Sequence, residues 1–106
     1  MERAQKALQK RDYAQASEKL WGAAAQMVKA LAQRRGWPHN GHRQRFEVVN
    51  RLVKETGDRE LSRLFLVANA LHTNFYERWL PADDVRRGAQ DVERLLQKLE
   101  ALWEQG

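Results

Sequence analysis

Histidine and arginine side chains are concentrated between residues 34 and 43 of this 106-residue chain, in the sequence RRGWPHNGHR. This segment, which we call the connector, holds His39 and His42, two of the three histidines. Cleavage of RNA without a metal ion needs a base for the 2′-hydroxyl, an acid for the leaving 5′-oxygen and a cation for the charged phosphorane. Because histidine and arginine supply all three near neutral pH, the connector is a candidate catalytic site.

Two other interpretations of the connector need less chemistry. Several arginines could bind a phosphate in bidentate fashion while a tryptophan stacks on a base. The residues of this anion-binding hypothesis are Arg34, Arg35, Trp37, Arg43 and Arg45. Alternatively, basic residues simply favour the negative end of a helix dipole, and Gly, Pro and Asn are ordinary turn residues. The sequence leaves the three interpretations open.

A second candidate group surrounds His72, the third histidine and a third candidate catalytic residue. His72 falls on the same helical stripe as apolar residues, so its ring is expected to face the core or a groove beside it. In the functional interpretation, Asn69, Asn74 and Tyr76 line a cleft that the connector also reaches. In the structural interpretation, His72 is a core residue hydrogen-bonded to a backbone carbonyl or to a neighbouring side chain.

A third group lies near Trp21, where Glu18 precedes the tryptophan by about one helical turn. Glu18 and the adjacent Lys19 point in different directions on a helix, so they are expected to be solvated or to pair with neighbouring helices. A metal site is not predicted, because His39 and His42 lie across a loop with no acidic cluster nearby. We expect no cofactor.

Charge is distributed unevenly along the chain. Residues 29–54 carry seven Lys or Arg against one acid, a local charge of +6, whereas residues 55–106 carry −3. This asymmetry favours a polyanionic partner such as RNA or a nucleotide. The chain has no cysteine, which excludes thiolate catalysis and zinc-thiolate sites. Its longest uncharged run, residues 64–76, is too short to span a bilayer, so we expect a cytoplasmic protein without membrane contact.

Helical periodicity extends over almost the whole chain, and the only prolines are Pro38 and Pro81. A short segment at residues 2–9 precedes a long predicted helix from residue 12 to Arg35, which Gly36 and Pro38 end. Further helices are predicted at residues 42–56, from Asp58 to near Pro81, and from residue 83 onwards. The sequence thus predicts one all-α domain over residues 1–106, an up-and-down bundle of four to five helices.

Residues 12–24 (DYAQASEKLWGAA) and 71–77 (LHTNFYE) resemble the archaeal PaREP family, which belongs to the HEPN-like helical superfamily. The similarity extends over roughly residues 12–99 and includes residues 29–32 (KALA) and 56–58 (TGD). The resemblance implies an HEPN-like helical bundle that often forms a symmetric homodimer. For the superfamily it also implies RNA cleavage, toxin–antitoxin or other defence systems, and a nucleotidyltransferase-like partner.

The superfamily's ribonucleases place an arginine before a histidine at the start of a late helix, with four to six residues between the two. In this chain the matching spacings, Arg34 with His39 and Arg35 with His42, lie in the connector, and no arginine stands at that spacing before His72. The leading expectation is therefore a small HEPN-like module that binds nucleic acid or nucleotide through the connector. The alternatives are a metal-independent ribonuclease and a non-catalytic oligomeric or partner-binding scaffold.

Overall fold

The computed structural model describes residues 13–77 and 79–105, of which residues 13 and 75–77 are described by their backbone alone. This part of the chain forms four α-helices and no strand. They are α1 (Tyr13–Arg35), α2 (Gly41–Thr56), α3 (Glu60–Glu77) and α4 (Ala82–Glu104). The all-α prediction is confirmed; the predicted segment at residues 2–9 lies outside the described residues. None of these four helices is long and apolar enough to cross a membrane.

Glycines with left-handed backbone end the first two helices. Gly36 has φ 73°, and the N–H groups of Gly36 and Trp37 donate to the carbonyls of Gln33 and Ala32 at 3.2 and 2.9 Å, which is a Schellman motif. Gly57 has φ 76° and donates to the carbonyl of Val53 at 2.7 Å. The sequence-based helix ends at Arg35 and Thr56 are therefore confirmed.

Replacing Gly57 with alanine should destabilise the fold by about 1–2 kcal/mol, because a Cβ is unfavourable at positive φ. Gly22 is the matched control, since it lies inside α1 and an added Cβ would meet nothing within 4 Å. The Gly22→Ala change should stabilise the protein by up to about 1 kcal/mol through helix propensity. Urea unfolding of both variants measures the two effects, and a shift of the same sign in both would contradict the assignment.

The core is a cluster of aliphatic residues from all four helices around Phe65. Its largest fully buried side chains are Leu20, Val28, Leu31, Val48, Val49, Leu52, Leu61, Phe65, Leu71, Val85, Leu95 and Leu99. Helices α1, α3 and α4 pack against one another, and α2 packs mainly against α3. The sequence pattern of apolar residues three and four apart thus corresponds to the buried faces.

Helices α1 and α2 run in the same direction, which departs from strict alternation along the chain. Arg35 at the end of α1 pairs with Glu55 at the end of α2, at 3.1 Å. Trp21 in the first half of α1 stacks on His42 in the first turn of α2. The chain can return between them because residues 36–40 contain no regular helix, and the six steps from residue 35 to 41 can extend about 20 Å.

Candidate functional site

Two histidines that are 30 residues apart in the sequence lie side by side in the structure. The ring centroids of His42 and His72 are 5.2 Å apart, and both rings stack on the indole of Trp21, at 5.2 and 4.8 Å. We call these three residues, together with Glu18 and Asn69, the histidine cluster. The cluster joins α1, α2 and α3, so His42 of the connector lies beside His72.

Trp21 forms the floor of the histidine cluster. Only 5% of the tryptophan is exposed, and its indole packs on Phe65 with a centroid distance of 5.5 Å. Phe46 of α2 contacts the same phenylalanine edge-on at 4.7 Å. Core side chains hold the indole in place, so the two imidazoles that stack on it are restrained as well.

Glu18 hydrogen-bonds to His72 within the cluster. The Nδ1 atom of His72 lies 2.9 Å from Oε2 of Glu18, and the two side chains are 20% and 34% exposed. Glu18 precedes Trp21 by three positions, so its carboxylate lies on the same side of α1 as the indole. The sequence predicted pairing with a neighbouring helix as one alternative for Glu18, but it did not single out His72 as the partner.

His42 is more exposed than His72 and lies in the first turn of α2. Partial burial is the largest cause that lowers the pKa of His42 from 6.5, followed by the positive charges of Arg45 and His72. A side-chain hydrogen bond with Asn69 of α3 acts on the pKa in the opposite direction. The imidazole of His42 is therefore neutral at pH 7 and available to accept a proton.

Because the pKa of His42 is lowered in the folded protein, its contribution to stability is present above pH 6.5 and is lost as the pH falls through that value towards the folded pKa. The free energy of unfolding should therefore decline from about pH 8 to pH 5.5. The decline should be shallower in the His42→Gln variant. Urea unfolding at several pH values measures both slopes, and identical slopes would contradict the prediction.

His39 does not join the histidine cluster. Its Nδ1 atom lies 3.0 Å from the carbonyl oxygen of Trp37, within the connector itself. The indole of Trp37 is partly buried and lies against the guanidinium groups of Arg35 and Arg51, at 5.5 and 5.2 Å from their central carbons. The structure thus places Trp37 on the bundle between two arginines.

Three of the four arginines of the anion-binding hypothesis have partners within the chain. Arg34 lies over the ring of Trp103, 3.2 Å from its centroid, and donates to the Trp103 carbonyl. Arg35 pairs with Glu55, and Arg43 pairs with Glu47 at 3.0 Å one turn further along α2. The contacts of Arg34 and Arg35 join the end of α1 to the ends of α4 and α2, and Glu55 and Glu47 offset the charges of Arg35 and Arg43.

Arg45, the fourth arginine of the hypothesis, lies near the start of α2. Its Nε atom is buried and has no hydrogen-bond partner, although its charge acts on His42 one turn earlier in α2. The N-terminal end of α2 lies beside it, and the side chain of Asn40 makes no capping hydrogen bond there. Uncapped backbone N–H groups and a guanidinium group together favour an anion at this position.

The remaining predicted cleft residues are divided between the site and the core. Asn69 forms a side-chain hydrogen bond with His42 of the cluster. Asn74 is only 2% exposed; its Nδ2 atom donates to Ser17 at 3.0 Å, and its Oδ1 atom accepts the backbone N–H of Leu80 at 2.8 Å. Asn74 therefore anchors the chain after α3 to α1. The side chain of Tyr76 lies outside the described residues.

A pocket of about 620 Å³ lies at the opposite end of the bundle. Its wall includes Arg35 and Lys98. The Nη2 atom of Arg35 lies 3.1 Å from Oε2 of Glu55, and the Nζ atom of Lys98 lies 2.6 Å from Oδ2 of Asp58. The hydrogen bond between Lys98 and Asp58 lowers the pKa of Asp58 and raises the pKa of Lys98, so both groups stay charged at neutral pH. Both cations of the wall are thus paired with carboxylates, although the Nη1 atom of Arg35 is buried without a hydrogen-bond partner.

No group of three histidine or acidic side chains within residues 13–77 and 79–105 is arranged to hold a metal ion. The side chains of the histidine cluster carry indole, imidazole, carboxylate and amide groups.

Comparison with known proteins gives one match. The family model described as the archaeal PaREP1/PaREP8 family matches residues 1–96. Searches of curated proteins and of solved structures found no match. Because the family model covers most of the chain, including every residue of the histidine cluster, the chain belongs to the archaeal PaREP1/PaREP8 family.

Proposed function

We propose that this protein is a metal-independent ribonuclease that acts through the histidine cluster. The observation that carries the proposal is the 5.2 Å separation of His42 and His72 at a partly exposed surface. Two imidazoles at this distance can act on the same phosphodiester, one as the base and the other as the acid. A single core histidine would need no second imidazole beside it.

The lowered pKa of His42 assigns the two roles. His42 is neutral at pH 7, so it accepts the proton of the RNA 2′-hydroxyl. The 2′-oxygen then attacks phosphorus, and the bond from phosphorus to the 5′-oxygen breaks. We assign His72 the role of the acid that gives a proton to that leaving oxygen. The products are a 2′,3′-cyclic phosphate and a free 5′-hydroxyl.

Arg45 and the N-terminal end of α2 are the groups we assign to the phosphate. The guanidinium charge lies close enough to His42 to lower its pKa, and the side chain of Asn40 makes no capping hydrogen bond at the adjacent helix end. Both would stabilise the additional negative charge of the phosphorane. The excess of +6 in residues 29–54 would draw the RNA backbone to this side of the molecule.

We extend the proposal to an HEPN-like fold and a homodimer. The support is the all-helical bundle together with the side chains of Trp79 and Trp103, which are 60% and 37% exposed. A nucleotidyltransferase-like protein stays a predicted partner of such a dimer.

The test is incubation of purified protein with a single-stranded RNA oligonucleotide in the presence of EDTA. Mass spectrometry of the products should show 2′,3′-cyclic phosphate ends, and a DNA oligonucleotide of the same sequence should stay intact because it lacks the 2′-hydroxyl. Cleavage that stops in EDTA, or that also occurs on DNA, would overturn the proposed mechanism.

Binding of RNA or a nucleotide without cleavage is the second candidate function. The observation that favours it is the buried, unpartnered Nε atom of Arg45 beside the α2 terminus. If this candidate holds, RNA recovered from the same incubation is intact and its affinity falls steeply between low and physiological salt.

A further inference from the structure

Glu18 lies next to the reacting groups without a role in the proton transfers described above. Its Oε2 atom is 2.9 Å from Nδ1 of His72, and the two residues are 54 positions apart in the chain. We propose that Glu18 is a positioning residue that fixes the Nδ1–H tautomer of His72 and so makes Nε2 the nitrogen that exchanges protons with the substrate. This inference rests on the proposed ribonuclease function.

The tautomer follows from the hydrogen-bonding capacity of the two groups. An ionised carboxylate has no hydrogen to donate, so the hydrogen between Glu18 and His72 must be carried by Nδ1. In the neutral imidazole the lone pair then belongs to Nε2. When the ring is protonated, Nδ1 keeps its contact with Glu18, and Nε2 carries the hydrogen that is released.

The position of the ring is fixed from a second direction. The face of the His72 imidazole stacks on Trp21 with an interplanar angle of 25°, and Trp21 is itself packed on Phe65. Stacking restrains the plane of the ring but still permits a half-turn about the Cβ–Cγ bond, which exchanges the two edges of the ring. The hydrogen bond to Glu18 removes this freedom, because only one ring edge can face the carboxylate.

The two histidines differ in whether their hydrogen-bond partner fixes one tautomer. The partner of His42 is the neutral amide of Asn69, which can present either an oxygen or an NH₂ group. Asn69 therefore does not impose one tautomer on His42, whereas Glu18 imposes one on His72. Because Nδ1 of His72 is held by Glu18 in the protonated and in the neutral ring, Nε2 is the nitrogen that gives its proton to the leaving oxygen.

The test is a long-range ¹H–¹⁵N spectrum of ¹⁵N-histidine-labelled protein at a pH where the rings are neutral, recorded without RNA. The wild-type protein and the Glu18→Gln variant should both show Nδ1–H for His72, because a glutamine oxygen can also accept the hydrogen. The Glu18→Ala variant should lose that pattern in favour of Nε2–H or a mixture. The His72→Ala variant identifies the signals.

Cleavage rates provide the second measurement. Loss of a group that orients a reacting histidine typically lowers activity about 10- to 100-fold. Glu18→Ala should show this loss in kcat, and Glu18→Gln should recover part of it. An Nε2–H pattern in the wild type, or a pattern unchanged in Glu18→Ala, would overturn the inference even if RNA is cleaved. A pattern that depends on Glu18 without any RNA cleavage would overturn the proposed function instead.

Discussion

His42→Ala and His72→Ala should each lower the rate constant of RNA cleavage by about 100- to 10,000-fold, because each removes one of the two proton-transfer groups. His39→Ala is the matched control. It removes a histidine from the same connector, but one whose ring faces the Trp37 carbonyl rather than the cluster. Its cleavage rate should equal that of the unchanged protein. Initial rates on a fluorescent RNA substrate measure all three.

The double variant His42→Ala/His72→Ala makes this comparison sharper. If the two imidazoles act on one reaction, the second replacement should cause much less additional loss than the first. The far-UV circular dichroism spectra of these variants should match that of the unchanged protein. Both imidazoles stack on the face of Trp21 and do not support it from below. Equal cleavage by the three single variants would assign the activity to a contaminant.

Phe65→Ala should destabilise the fold by about 3–5 kcal/mol, which is the expected effect of removing a buried aromatic side chain. Phe65 is fully buried, and its ring supports both Trp21 and Phe46. A domain of this size has a free energy of unfolding of about 5–15 kcal/mol, so a large share of the stability would be lost. Denaturant unfolding monitored by tryptophan fluorescence measures the change.

Leu66→Ala is the matched control for Phe65→Ala. The leucine is the next residue of α3, but it is 56% exposed. Its replacement should change the free energy of unfolding by no more than about 0.5 kcal/mol. Comparable losses in the two variants would mean that the core is not centred on Phe65.

The helices were predictable because their ends depend on local chemistry. Gly36 and Gly57 have the positive φ that only glycine adopts easily, and Pro81 directly precedes α4. The same-direction packing of α1 and α2 was not predictable, because a five-residue link can either turn tightly or extend. The contacts of Arg35 with Glu55 and of Trp21 with His42 distinguish the two arrangements.

The candidate site was predictable in part. Residue types identified His42, His72 and Asn69 as candidates, but proximity between them depends on how three helices align. Glu18 gave a weaker signal, since a single acid on a helix is most often solvated. Arg34 and Arg43 contributed to the basic pattern. The Trp103 carbonyl that accepts from Arg34 is visible only in the folded chain, whereas the spacing of four between Arg43 and Glu47 in a predicted helix is visible in the sequence.

The hydrogen bond between Glu18 and His72 spans 54 residues, and the stacking of both histidines on Trp21 needs α2 as well. During synthesis, a chain that has emerged only as far as α2 carries Glu18, Trp21 and His42 but not the second imidazole. The proposed ribonuclease would thus acquire its activity late and in a single step, when α3 docks. Cleavage would therefore serve as a kinetic reporter of the completed fold.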